Sequence, residues 1–129
     1  MEEKKKAIRT DEAPAAVGPY SQGIVLDSLV FTSGQLGIDP ATGAFAGEDT
    51  ESQARQMFKN LKAVLEAGGS GLDKVVKVTV FLADIADFKK VNAIYAEHFN
   101  EPFPARSAVQ AAALPLGARI EAEAVAYKG

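Results

Sequence analysis

The sequence predicts an α+β domain in which one mixed β-sheet carries two helices on a single face. Segments dense in β-branched and aromatic residues, Val75 to Leu82 above all, alternate with two stretches whose apolar residues recur at helical spacing. Their order reads ββ(β)αβαββ, with no internal repeat and no linker. The chain has 129 residues, 47% of them hydrophobic and 24% charged, which fits one ordinary globular domain over residues 1–129. That length buries a core without covalent staples.

Taken in order, residues 1–5 form a charged end, Glu2 to Lys5 after Met1, that is expected to fray. Lys6 to Thr10 can form a short strand, and Asp11 to Pro19, rich in Pro, Gly and Ala, reads as an ordered loop. Ser21 to Leu26 and Leu29 to Gln35 are extended segments joined at Asp27-Ser28, a hairpin spacing. Asp39-Pro40-Ala41-Thr42-Gly43 is a turn by composition. Thr50 followed by Gln53 suggests a capping box for a first helix, whose stripe is Ala54, Met57, Phe58, Leu61, Val64 and Leu65. Gly68-Gly69 closes it, and because Gly68 to Gly71 ends a helix rather than opening one, it is read as a C-cap and not a phosphate loop. Val75 to Leu82 is a strand with Val76, Val78, Val80 and Leu82 on one face. A second helix runs from about Ala86 to Phe99 on a stripe of Phe88, Val91, Ile94, Tyr95 and Phe99. Strands from Ala105 to Ala111 and Arg119 to Tyr127 follow, separated by the Leu114-Pro115-Leu116-Gly117 turn.

In the last strand Ile120, Ala122, Ala124 and Ala126 point one way and are small enough for a helix to pack close. Two helices cover one face of the sheet. The other carries Lys77, Thr79, Phe81, Glu121 and Glu123, too apolar for a plain solvent face and too charged for a core. A subunit interface with polar clefts at its margins is expected there.

Composition narrows the chemistry. With no cysteine there is no disulfide, thiolate or Cys-based metal site, and a single histidine, His98, cannot build a multi-histidine metal centre. His98 lies near Val91 and Ile94 in angular position and reads as a core or helix-end residue. No metal is expected. A formal net charge of −3 lacks the basic footprint that phosphate backbones demand, so nucleic acid is an unlikely partner. The N-terminus has no apolar run of signal-peptide type, and no stretch reaches membrane-spanning length. A cytoplasmic protein is expected.

What remains suggests a site for a small carboxylate. Arg106 follows Pro104 at the start of a strand; its planar guanidinium suits a carboxylate clamp, and the plainer reading is a strand-edge salt bridge. Glu121 and Glu123 share a face, and either solvate an exposed strand or give one carboxylate whose burial lifts its pKa for general-base work. Tyr20, in Gly18-Pro19-Tyr20-Ser21, is a packing lid or a ligand contact. Ser33 offers a hydroxyl without a histidine to activate it, and Gly34 lets a ligand approach the backbone. Asn92, on the flank of the second helix, reads first as a buried amide that ties a loop down.

The segments Ala13-Pro-Ala-Ala-Val-Gly-Pro-Tyr-Ser-Gln-Gly23, Thr32-Ser-Gly-Gln35, Val91-Asn-Ala-Ile-Tyr95, Phe103-Pro-Ala-Arg-Ser107 and Ile120-Glu-Ala-Glu-Ala124 resemble the reactive-intermediate deaminase family, RidA, also called YjgF. The resemblance spans nearly the whole chain. It implies a chorismate-mutase-like protomer, a homotrimer and three clefts between subunits. It further implies hydrolysis of 2-iminopropanoate and 2-iminobutanoate, released by pyridoxal-phosphate dehydratases, to 2-keto acids and ammonia, with no cofactor. By the resemblance Arg106 binds the substrate carboxylate, Glu121 holds the attacking water, and Tyr20, Ser33 and Asn92 line the cleft. The family often has Cys where this chain has Ala108; there the main-chain carbonyl helps to hold the water, a role that no side chain supplies. Two rival readings stay open: a module that binds 2-keto acids without turnover, and the endoribonuclease or translation-inhibitor activity ascribed to some relatives, which the acidic balance disfavours.

Overall fold

A computed structural model of the chain describes residues 4–129. The end expected to fray lies in part outside the described residues, and its last residue, Lys5, instead opens a strand. Strands β1 (Lys5–Ile8), β2 (Gly23–Leu26), β3 (Leu29–Thr32) and β4 (Gln35–Leu36) precede helix α1 (Thr50–Ala67). Then come β5 (Val75–Leu82), α2 (Phe88–His98), β6 (Ala105–Gln110) and β7 (Ile120–Tyr127). One sheet runs β1-β2-β3-β7-β5-β6, with β4 continuing along β7. All pairs are antiparallel except β5 and β6, which α2 joins in parallel. The α+β expectation with a mixed sheet and two helices holds.

The β2–β3 hairpin turns where expected, with Asp27 at φ +53°, a left-handed conformation that Asp accepts more readily than most residues. The second segment is not continuous to Gln35. Between Phe31, opposite Val125, and Gln35, opposite Ala122, one chain advances four residues and β7 only three. The surplus falls at Thr32-Ser33-Gly34, where the Ala124 N–H bonds to the Thr32 hydroxyl (3.0 Å) in place of a backbone carbonyl.

Helix α1 starts one residue earlier than the capping-box reading requires. Asp49 is the N-cap, its carboxylate accepting the Ser52 N–H at 2.9 Å, which stabilises a first turn of free amides. Gln53 is used elsewhere: it is buried, donates to Gly47 O (3.0 Å) and accepts from the Arg119 N–H (2.8 Å). The C-terminus closes as expected. Gly69 sits at φ +85°, its N–H bonds to Glu66 O, and the Ser70 N–H bonds to Leu65 O, which is a Schellman motif.

The predicted stripe of α1, Ala54, Met57, Phe58, Leu61, Val64 and Leu65, is fully buried. It packs on Ile120, Ala122, Ala124 and Ala126 of β7, whose burial alternates along the strand. Each fully buried Leu, Ile, Phe or Met contributes about 1.5–3 kcal/mol. On β5 the alternation fails at its first step: a register shift between Val75 and Lys77 buries Val75 and leaves Val76 exposed, so Val76 does not share the face of Val78, Val80 and Leu82. A turn of 3-10 helix over Ile85–Asp87 precedes α2 and shortens it relative to the expected span.

The bare face carries Lys77, Thr79, Phe81, Glu121, Glu123 and Val125, all only partly covered or exposed. Among the described residues no helix is long and apolar enough to cross a membrane.

Candidate active site

The predicted site residues fall into two groups. Arg106 lies on β6, the outer strand of the sheet, directly opposite Val78. Cross-strand neighbours point to the same face, and Val78 is core, so the Arg106 side chain rises on the helix side. There its Cζ lies over two rings of α2, 5.1 Å from the centroid of Phe88 and 4.6 Å from that of Tyr95. Nη1 donates to Asn92 Oδ1 at 2.7 Å. Asn92 is therefore an exposed partner of the guanidinium and not the buried amide expected. The salt-bridge reading of Arg106 also fails: the ion pairs among the described residues involve Arg55, Lys74 and Arg119. Asn92, Tyr95, Ala96, Phe103, Pro104 and Arg106 line a cavity of about 340 Å³, with Phe103 exposed at its rim.

Ala108 sits two residues along the same strand, against the core. The Ala111 N–H bonds to Leu82 O, and alternation along β6 then turns the Ala108 carbonyl away from β5, out along the sheet edge.

The second group occupies the bare face. Glu121 pairs with Phe81 on one side and Leu36 on the other, and Glu123 with Thr79. The Glu121 carboxylate lies against Gly34, where a Cβ would overlap it. The sequence reading has Gly34 letting a ligand approach the backbone; on the side where a Cβ would stand, the room is taken by this acid. Burial pushes the Glu121 carboxyl above the usual glutamate range, and the neighbouring Glu123 adds to the effect. Ser33 donates its hydroxyl to Ser21 O (2.5 Å) and its N–H to Gln22 O (2.9 Å), which ties the bulge to the loop bearing Tyr20. Tyr20 is half exposed, its ring packed over Gly18.

Sequence reasoning missed two supports. Gln22 is buried and its amide spans the first loop: Oε1 accepts the Thr10 N–H, and Nε2 donates to Thr10 O, Ala13 O and Pro14 O. A glutamine three residues after the proline of the Gly18-Pro19 turn was the available signal. The second support is Asp87, which accepts from the Thr50 hydroxyl (2.6 Å) and from Arg119 Nη2 (3.1 Å), pinning the start of β7 to both helices. The Thr50 hydrogen bond first, and Arg119 next, hold its carboxyl below the usual range. His98 ends α2, stacked on Phe58 with ring centroids 4.8 Å apart, and takes no part in either group.

Within one chain the halves do not meet, because Arg106 and Asn92 lie on the helix side and Glu121, with Gly34 against its carboxylate, on the bare side. Among the described residues each half is unfinished: a cation without an acid, and an acid raised in pKa without a base.

A family model described as endoribonuclease L-PSP matches residues 10–128. The chain belongs to the RidA/YjgF family. RidA relatives match over most of its length. Reactive Intermediate Deaminase A, chloroplastic, of Arabidopsis thaliana is 54% identical over 95% of this chain and 66% of its own. The 2-iminobutanoate/2-iminopropanoate deaminase of Homo sapiens is 48% identical over 97% of this chain and 91% of its own. The crystal structure of RidA from the Antarctic bacterium Psychrobacter sp. superposes with a TM-score of 0.91 at 48% identity, covering 95% of this chain and 98% of that one. The quoted RidA segments are thus carried on the RidA fold.

Proposed function

We propose that this protein hydrolyses 2-iminopropanoate and 2-iminobutanoate to the 2-keto acid and ammonia, in clefts formed where the bare face of one copy meets the β6 edge of the next. The observation that carries the reading is the pair of unfinished halves: Arg106 held with no acidic partner among the described residues, and Glu121 half-buried with its pKa raised. The names of its deaminase relatives at 48–54% identity support the substrate class. A contact of face against edge repeats head to tail and gives a closed ring when its rotation closes, and the homotrimer that the family resemblance implies is a ring of this kind. Phe31, Phe81 and Val125 give that face apolar surface to bury.

The chemistry needs little beyond placement. Arg106 takes the substrate carboxylate on the edge of its guanidinium plane and so fixes C2. A water held by Glu121 and the Ala108 carbonyl attacks C2 of the iminium as Glu121 accepts one of its protons. The tetrahedral carbinolamine then collapses: its nitrogen receives that proton from Glu121, the hydroxyl gives its own proton back to the Glu121 carboxylate as the C2–N bond breaks, ammonia leaves and the keto carbonyl forms. Tyr20, Ser33, Gly34 and Asn92 line or support the cleft, and no cofactor takes part. The imine is quenched in the compartment where dehydratases release it, which we take to be the cytoplasm; the Arabidopsis relative's name assigns that protein to the chloroplast.

The test couples the purified protein to threonine dehydratase and traps residual imine with semicarbazide. Trapping should fall with the wild type and return to the uncatalysed level with Arg106→Ala. Trapping that the wild type leaves unchanged rejects the reading. Glu121→Gln that loses turnover but still binds 2-ketobutyrate distinguishes catalysis from a purely binding role.

A further inference from the structure

We propose that Tyr95, seconded by Phe88, is the positioning residue for Arg106, holding the guanidinium by its face so that its edge and its full charge remain free for a ligand carboxylate. This rests on the clamp role given to Arg106 above. Both ring contacts, 4.6 Å to Tyr95 and 5.1 Å to Phe88, lie within cation–π range. Phe88, Asn92 and Tyr95 stand at i, i+4 and i+7 of α2, so one helix face supplies two rings and an amide oxygen to the same guanidinium.

The choice of partners matters chemically. A carboxylate would hold Arg106 as firmly, but it would occupy the bidentate edge and offset the charge that substrate needs. An aromatic face leaves the edge open, and Asn92 Oδ1 engages Nη1 without adding a formal charge.

Tyr95 can serve as a fixed base because it is itself held. It is 5% exposed, stacked on Phe99 at 4.4 Å between centroids and met edge-on by Phe58 at 5.9 Å. A line of rings therefore runs from the centre of the core to the cavity. The Tyr95 hydroxyl is buried with no hydrogen-bond partner among the described residues, so its ring makes the contact with Arg106 and the hydroxyl does not.

The experiment compares Tyr95→Leu, Phe88→Leu and Tyr95→Phe for Kd of 2-ketobutyrate by calorimetry and for KM and kcat on dehydratase-generated imine, with assembly checked by gel filtration. Each Leu variant is expected to raise Kd and KM about five- to tenfold with kcat nearly unchanged. Tyr95→Phe, which restores the ring, should recover most of that loss. A folded Leu variant with wild-type Kd overturns the proposal, and so does a loss in Tyr95→Phe equal to that in Tyr95→Leu. Should Tyr95→Leu fail to fold, Phe88→Leu carries the comparison, since Phe88 is only partly buried. The wild type provides a further check: the Arg106 Nε–H proton, assigned by its disappearance in Arg106→Lys, should show an upfield ring-current shift, and a random-coil shift overturns the proposal. Wild-type protein that neither binds 2-ketobutyrate nor quenches imines would instead sink the clamp itself, a result distinct from a wild type that binds and Leu variants that bind equally well.

Discussion

The carboxylate of Glu121 occupies the space above Gly34 that a Cβ would need. The extra residue in the Thr32–Gly34 stretch brings the backbone beneath Glu121, and the lack of a side chain lets the acid settle there. Gly34→Ala should therefore swing the carboxylate away. The clash is with the far end of a flexible side chain, so the melting temperature should change little while kcat falls about tenfold or more. Parallel thermal melts and imine-quenching assays decide it, and full activity in Gly34→Ala would reject the role given to this contact.

Glu121 must be ionised to accept a proton, and burial raises its pKa. The acid limb of kcat should thus lie above the ordinary glutamate range. Glu123→Gln removes the like charge that contributes to the shift, so the limb should move to lower pH. Glu121→Gln should lower kcat about a hundredfold or more. Because folding favours the protonated acid, the stability that Glu121 contributes is present at low pH and is lost as pH rises through its raised pKa. Rate-pH profiles of the three proteins give the order.

Phe81 pairs with Glu121 on the bare face. Phe81→Arg should leave the protomer folded, shift gel filtration to a smaller species and abolish turnover. A wild-type elution volume with full activity would count against an assembled cleft.

Asp87 joins Thr50 and Arg119 with its side chain 15% exposed. Asp87→Asn should destabilise the fold by about 1 kcal/mol at neutral pH. Its carboxyl pKa is depressed, so this contribution exists above the ordinary aspartate pKa and fades as pH falls through the lowered one. Melts at pH 7 and at strongly acid pH should show the variant and wild type converging.

Ala122 is fully buried on β7 beneath α1. Ala122→Leu should cost about 1–3 kcal/mol by overpacking. Urea denaturation measures it.

The alternation of small residues on β7 and the stripe of α1 were legible because each follows a simple period and each ends up buried as that period dictates. The bulge at Val75–Lys77 was not, because a register shift leaves the local composition unchanged while turning Val76 outward. Asp49 was overlooked as the N-cap because Thr50 beside it satisfies the same rule. Arg106 and Glu121 were singled out as candidates by residue type and family likeness, but their placement on opposite faces depends on strand register across β5. The pairing of Arg106 with Phe88 and Tyr95 depends on how α2 docks, which periodicity alone leaves open.

The Gln22 amide fastens Thr10, Ala13 and Pro14 at once. One side chain therefore governs whether the whole segment ahead of β2 opens or stays shut, and local unfolding there should be all-or-none. Under native-state hydrogen exchange, losing that amide should deprotect Thr10 and loosen the loop carrying Tyr20 together, while the strands beneath α1 keep their protection.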